Sequence, residues 1–326
     1  MRGCATLHTP GSSGTLPTTP DLRREEIKLE VAFANALALT GDPVDGKEHY
    51  DRALPIYDPA DHRPLTTRSG RDIRVALLTS RAGCMWLLGY PAASSSDAER
   101  AIKNARETGQ APTLMHALWA AHVYIYSGNY AAAKPLLDEL IGLADERGAP
   151  YWKALGTAVR GWLFAVTGKA PDAVRAITSG VTSLRSTGAT LYEPHHLQYL
   201  AIAYSELGQL DDARRCIDDA IDKVERSREK WSEAEVHRIA GEITLKSPAP
   251  DTEKAEKYFD RALTVARQQQ AKSWELRAAM SMARLWRDQG KPQQARELLA
   301  PVYGWFTEGF DTLDLRKAKA LLDDRA

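Results

Sequence analysis

From residue 21 onward, apolar side chains recur three and four apart along nearly the whole chain, the spacing that gathers them on one face of an α-helix. Runs that alternate apolar and polar with a period of two, as half-buried strands do, are scarce. Glycines interrupt the helical pattern at regular places: "SELGQLDDARRCIDDAI", residues 205–221, reads as the end of one helix, a turn at Gly208 and the start of another. The pattern predicts an all-α protein.

That tile recurs. "LTGDPVDG" at 39–46, "LGYPAAS" at 88–94, "SGNYAAA" at 127–133, "TGKAPDA" at 167–173 and "QGKPQQA" at 289–295 all align with it. Gly89, Gly128, Gly168 and Gly208 follow one another at 39, 40 and 40 residues. One unit has "KSPAPDTEKA" in place of a turn glycine, where prolines end the first helix and Asp251 is placed to cap the second. Seven residues before each turn stands a small residue (Ala34, Ala82, Ala121, Gly161, Ala201, Ala240, Ala283), and four before it a bulky one (Leu37, Met85, Tyr124, Phe164, Tyr204, Ile243, Trp286). After each turn Gly46, Ser94, Ala133, Ala173, Ala213, Ala255 and Ala295 supply a second small column. Small against small lets paired helices approach, and the bulky residue one turn later fills the gap. The expectation is an α-solenoid of about seven helix pairs with a period near 40 residues.

Composition divides the chain further. Residues 1–20 are rich in Gly, Ser, Thr and Pro and read as a flexible tail; 21–310 form the array; 311–326 form a closing helix with Asp311 as its cap. Trp305, Phe306 and Phe310 just before it read as a plug over the exposed repeat end. Lys plus Arg and Asp plus Glu both total 43, so no net charge favours nucleic acid or an anionic membrane as partner. Three dispersed cysteines, no apolar leader and no long apolar run point to a cytoplasmic chain.

Catalytic chemistry finds little support. "GSSGTLPTT" lacks the GK[ST] ending of a phosphate loop, and no GxSxG segment marks a nucleophile. His195 and His196 are adjacent, so on a helix they diverge by about 100°; one is expected inside and the other in solvent, not both on a metal ion. Glu233 and His237 share a face but lack a third ligand. The chain is read as no enzyme, with no metal and no cofactor. Trp152, Trp231 and Trp274, with Tyr192 in the corresponding place of another unit, each stand sixteen residues before a turn and are expected to pack between repeats.

The combination of small, bulky, glycine and alanine columns resembles the tetratricopeptide repeat, whose usual period is about 34 residues. "HYDRALPIYDPADHRP", "ITSGVTSLRSTGATL", "SEAEVHRIAGEI", "SWELRAAMSMARLWRDQGK" and "LLAPVYGWFTEGFDTLDLRKAKALL" are similar to the C-terminal repeat region of large bacterial proteins of the rhizobial type. In those proteins a class III adenylate or guanylate cyclase domain and a predicted ATPase module precede the repeats. The resemblance covers residues 47–326 and implies a shortened tail without either catalytic domain. It implies a scaffold whose protein or peptide partner, a cyclase or ATPase component among the candidates, lies in the concave groove. By that resemblance the concave face collects His122, Trp162, His195, Gln198, His237 and, in the last unit, Arg277, Arg284 and Arg287. The three arginines, at i, i+7 and i+10, are expected to form an anion-holding end that forks onto a partner's carboxylate. Two alternatives stay open: a small-ligand sensor, favoured if aromatics enclose Trp162 and His195, and a truncated remnant without selected function.

Overall fold

The computed structural model describes residues 19–62 and 70–324, which are helical apart from turns and short connections; among these residues there is no strand. Seven helix pairs follow one another. They are α1 (Pro20–Thr40) with α2 (Pro43–Ile56); α4 (Ile73–Leu87) with α5 (Pro91–Thr108); and α6 (Ala111–Leu118) plus α7 (Ala121–Tyr126) with α8 (Tyr130–Glu146). Next come α9 (Pro150–Val166) with α10 (Ala170–Ser186); α11 (Glu193–Glu206) with α12 (Leu210–Arg226); α13 (Glu233–Leu245) with α14 (Thr252–Gln268); and α15 (Lys272–Asp288) with α16 (Pro292–Gly304). A short α3 (Pro59–His62) lies between the first two pairs, and α17 (Leu313–Asp323) ends the described chain. All but the last two residues of the tail expected at 1–20 lie outside the described residues, and α1 starts at Pro20 with Thr19 as its cap.

Local chemistry sets many of the helix starts. Asp42, Asp72, Asn129 and Asp251 each accept a backbone N–H of the first turn, the Asp251 bond from Lys254 being 2.9 Å. Pro43, Pro91, Pro150 and Pro292 occupy the first helical position, where no N–H is needed. Asp311 is not the cap of α17; that place falls to Thr312, whose side chain makes no capping bond.

The two small columns meet inside each pair, as packing at close range requires. A Cβ added at Gly46 would lie 3.1 Å from the Ala34 carbonyl oxygen, and one at Gly161 3.3 Å from that of Ala173. Ser94 Oγ donates to the Ala82 carbonyl across the same kind of contact. Ala34, Ala82, Ala121, Ala133, Ala173, Ala201, Ala213 and Ala255 are wholly buried.

The array closes on itself. The connection before α13 hydrogen-bonds to the end of α1, Lys230 N–H donating to the Leu39 carbonyl at 2.8 Å. Ser273, opening α15, donates from Oγ to the Trp86 carbonyl at the end of α4. Leu313 N–H donates to the Ser127 carbonyl at 3.1 Å, setting α17 on the turn after α7. Glu308 caps α5 from 216 residues away, its Oε1 accepting the Ala92 and Ala93 N–H groups, both at 3.0 Å. The repeat's turn glycine has therefore acquired a second use. At Gly89 (φ 91°) a Cβ would stand 2.6 Å from the Trp305 ring and 2.8 Å from Lys272, whereas at Gly168 and Gly208 nothing lies within 4 Å. Phe306 is buried in the core of the last pair and also meets Gly89; Phe310 stays exposed.

Candidate functional site

Closure turns the inner face of the first helices into a lumen rather than an open groove. Its axis is aromatic. Trp86 packs on Tyr126 (ring centroids 4.6 Å apart) and edge-on to Trp274 (4.7 Å); Trp162 stacks on Tyr199 (5.2 Å) and meets His195 edge-on (4.7 Å). Most polar atoms here are paired among themselves, while Gln198 Oε1 and His196 Nε2 have no partner among the described residues. Gln198 Nε2 donates to His195 Nδ1 at 2.7 Å, so the neutral ring carries its proton on Nε2, 2.8 Å from the Tyr126 hydroxyl. Trp162 Nε1 donates to His196 Nδ1 at 3.0 Å, and both histidines are buried, so neither faces solvent as one was expected to do. The reason is that α11 is covered on every side once the lumen is closed.

Above this plug lies a cavity of about 420 Å³, walled by parts of the first five pairs and by Trp231, which precedes α13 of the sixth. Nine of its lining side chains are Trp or Tyr, the one charged group is Arg71, and no carboxylate lines it among the described residues. A local irregularity builds one wall. Between α6 and α7 the backbone tightens, with Ala120 N–H bonded to the Ala117 carbonyl, His122 to Trp119 and Val123 to Ala120. Near three residues per turn, positions three apart eclipse, and this brings His116, Trp119 and His122 to one side. Tyr192 packs its ring on Trp119 (centroids 5.3 Å apart) and lines the cavity beside it, in a left-handed conformation (φ 65°) that is uncommon for a bulky residue. Glu229 holds it there, its carboxylate accepting Tyr192 N–H at 3.1 Å and Trp231 Nε1–H at 3.0 Å.

Of the residues expected on the concave face, His122 and Trp162 line the cavity, while His195 and Gln198 lie in the plug beneath. His237 sits apart, 3.9 Å from Glu233 and stacked toward Tyr258 between α13 and α14. The expected anion-holding end is not assembled, because the chain's own acids occupy two of its arginines. Arg277 donates to Asp314 (2.6 Å), Glu235 (3.2 Å) and the Tyr126 carbonyl (3.0 Å), with its guanidinium over Trp86 and Trp274. Arg287 pairs with Asp324 at 2.7 Å, and Arg284, exposed, makes no ion pair among the described residues. Arg71, His116, Trp119 and Trp152 were missed. Trp152, Tyr192 and Trp231 do recur by unit, as packing residues would, yet they also face the cavity.

Burial holds the histidines of this region neutral. It pushes His122 down to about 4 and His196 to about 3, and, with help from the Arg71 charge, His116 to about 3; His195 is also held well below its ordinary value, first by burial. Below pH 6.5 the unfolded chain takes up protons that these folded rings refuse, so stability is full above that value and falls as pH drops toward 3–4. Each ring contributes up to about 1.4 kcal/mol per pH unit in that window. Urea midpoints measured from pH 7 to pH 4 should decline steeply, and His122→Asn should flatten the decline; a flat wild-type profile would refute this.

No protein-family model matches the sequence, and no curated protein matches it. Solved structures do. The Rap conjugation gene regulator of plasmid pLS20, in complex with the Phr* peptide, superposes with a TM-score of 0.62 at 9% identity, covering 98% of this chain and 83% of that one. A Rap protein complexed with Competence and Sporulation Factor gives 0.61 at 13% identity (93% and 80%), and the apo form of RapI 0.56 at 12% (91% and 99%). At such identities the likeness establishes the fold, an all-α helical-repeat solenoid of the tetratricopeptide kind. No helix among the described residues is long and apolar enough to cross a membrane.

Proposed function

We propose that the protein is a regulatory binding module of the sensor kind, which takes a ligand into the lumen cavity and presents its outer surface to a protein partner. The observation that carries this reading is the cavity itself: about 420 Å³, largely aromatic, with a few polar groups, falls within the about 300–1,000 Å³ typical of ligand sites. Enclosed aromatics around Trp162 and His195 favour a compact ligand or a peptide end over a long segment laid along a groove. Two of the similar structures are complexes with the Phr* peptide and with Competence and Sporulation Factor, which supports peptide sensing as one form of this role. The resemblance of residues 47–326 to the tails of cyclase and ATPase proteins supports a partner from such a signalling system, with binding rather than catalysis as the task.

The test uses a neutral aromatic probe, 4-methylphenol, and a variant that fills the cavity. Gly83 lies on its wall, and an added Cβ would stand 3.1 Å from His122 Nε2, so Gly83→Leu should drive a side chain into the cavity with a small shift of the His122 ring; the far-UV circular dichroism of the variant checks that the fold is kept. Saturating probe should raise the unfolding temperature of the wild type by several degrees and leave Gly83→Leu unmoved. Equal responses in the two proteins, or none in either, would refute the cavity as a ligand site.

A further inference from the structure

One histidine on the cavity wall is fixed from three sides and left with an unused acceptor. His122 Nδ1 lies 2.7 Å from the Trp119 carbonyl oxygen, which can only accept, so the proton sits on Nδ1 and Nε2 is a bare lone pair. The ring packs on Trp119 (centroids 4.5 Å apart) and meets Tyr126 edge-on (5.4 Å), which sets the direction of that lone pair. Burial holds the ring neutral by pushing it down to about 4, so the acceptor is present at neutral pH.

Gly83, inside α4, faces it. A Cβ added there would lie 3.1 Å from His122 Nε2 and within 4 Å of nothing else beyond its own helix. Glycine inside a helix is destabilising relative to alanine, and close packing is the usual reason for it. Gly161, Gly180 and Gly241 have that reason, since a Cβ on each would collide with Ile177, Ala158 and Phe259 respectively. Gly83 has no such neighbour; it keeps open the space before a lone pair, and both residues line the cavity. Several other polar groups on the wall are already engaged. The Tyr50 hydroxyl donates to Asn35 Oδ1 at 2.8 Å, Thr79 Oγ1 to the Val75 carbonyl at 2.9 Å and Cys84 Sγ to the Pro43 carbonyl at 3.0 Å. Arg71, the one charged group there, has partners of its own.

We propose that the cavity binds an uncharged fused-ring aromatic, of the indole or naphthol kind, that donates its ring N–H or O–H to His122 Nε2 across the gap left by Gly83. The inference rests on the cavity being the ligand site. At about 420 Å³ the cavity is nearly three times the about 150 Å³ that takes up one benzene, so two fused rings fit between its Trp and Tyr side chains. A free aromatic molecule and a tryptophan side chain at a peptide end share this chemistry.

Calorimetry on the intact chain tests this with matched pairs. Indole and benzofuran share one shape and differ in a ring N–H against a ring oxygen; 2-naphthol and 2-methylnaphthalene differ in a hydroxyl against a methyl. In at least one pair the donor should bind about fivefold or more tightly than its mate, which leaves the lone pair buried and unpaired. His122→Phe keeps a ring without the lone pair and should bring that ratio to within about twofold of unity; a ratio that persists in the folded variant would overturn the assignment of the acceptor. Gly-Gly-Trp amide binding more tightly than indole would support the inference with a peptide end as the source; equal or weaker binding of the peptide would support it with a free aromatic molecule as the source. Ratios below about fivefold in both pairs, or no binding by any member of either, would overturn the proposed chemistry and leave the cavity reading standing on its 4-methylphenol result. Failure of every probe, 4-methylphenol included, would overturn both. The comparison within each pair is made on the wild-type chain, so it does not depend on how any variant folds.

Discussion

Arg277→Ala should cost about 3–5 kcal/mol of stability, because the substitution strips a buried charge network of its central cation. The Arg277 side chain is 15% exposed and Glu235 only 4%. From α15 the guanidinium reaches Asp314 on α17, Glu235 on α13 and the Tyr126 carbonyl at the end of α7, so it ties the last pair to the third across the closure. Burial acts against its charge, but Asp314 and Glu235 more than compensate. Alanine leaves the buried Glu235 with Arg238 alone and removes the cation from between Trp86 and Trp274. Arg287→Ala is the control: its partner Asp324 is 52% exposed, and loss of that pair should cost at most about 1 kcal/mol. Urea unfolding measures both, and similar small losses would show that the network does not hold the closure. A binding assay on an arginine variant at 277 therefore reports the fold before it reports any partner.

Trp162→Ala should cost a comparable about 3–5 kcal/mol, by the different route of an emptied core. Trp162 is 1% exposed, stacked on Tyr199 and edge-on to His195. Its removal deletes the ring contacts of α9 with His195, His196 and Tyr199 on α11 and leaves His196 Nδ1 without its donor. The space opened adjoins the cavity, which Trp162 also lines, so the plug beneath loses its lid. Trp162→Phe keeps a ring in place but not the N–H and should lose about half as much, around 1–3 kcal/mol. Equilibrium denaturation distinguishes these values, and a Trp162→Ala protein within 1 kcal/mol of wild type would contradict the assignment of this side chain to the core.

The pairs were legible in the sequence because each is set by neighbours in the chain. Ala82 facing Ser94, and Gly161 facing Ala173, are contacts within one unit, and repetition made their columns visible. Closure was not legible. It depends on the rotation from each pair to the next summed over seven pairs, and no local signal encodes that sum. Glu308 carries no sign that its targets are the amides of Ala92 and Ala93, and Arg277 looked like one of three equivalent surface arginines. The cavity was half legible. His122 and Trp162 followed from repeat position, but "HALWAAHVYIY" contains neither Gly nor Pro to announce the tightened turn that aligns His116 with Trp119. The spacing of three from His116 to Trp119 to His122 was the one available clue. Arg71 was missed because it lies in the connection between pairs, outside every repeated column.

An open row of helix pairs has two loose ends, and each terminal unit is secured from one side only. Such arrays fray from the ends inward, and their stability grows roughly as a sum of neighbouring terms. Here the last pair and α17 are neighbours of the second and third pairs, so the terminal units are held from both sides. Opening any one joint releases contacts on both flanks, which binds local events to the melting of the whole. Any molecule bound in the cavity would therefore stabilise more than its own pocket: it would raise the threshold for breaking the circle anywhere.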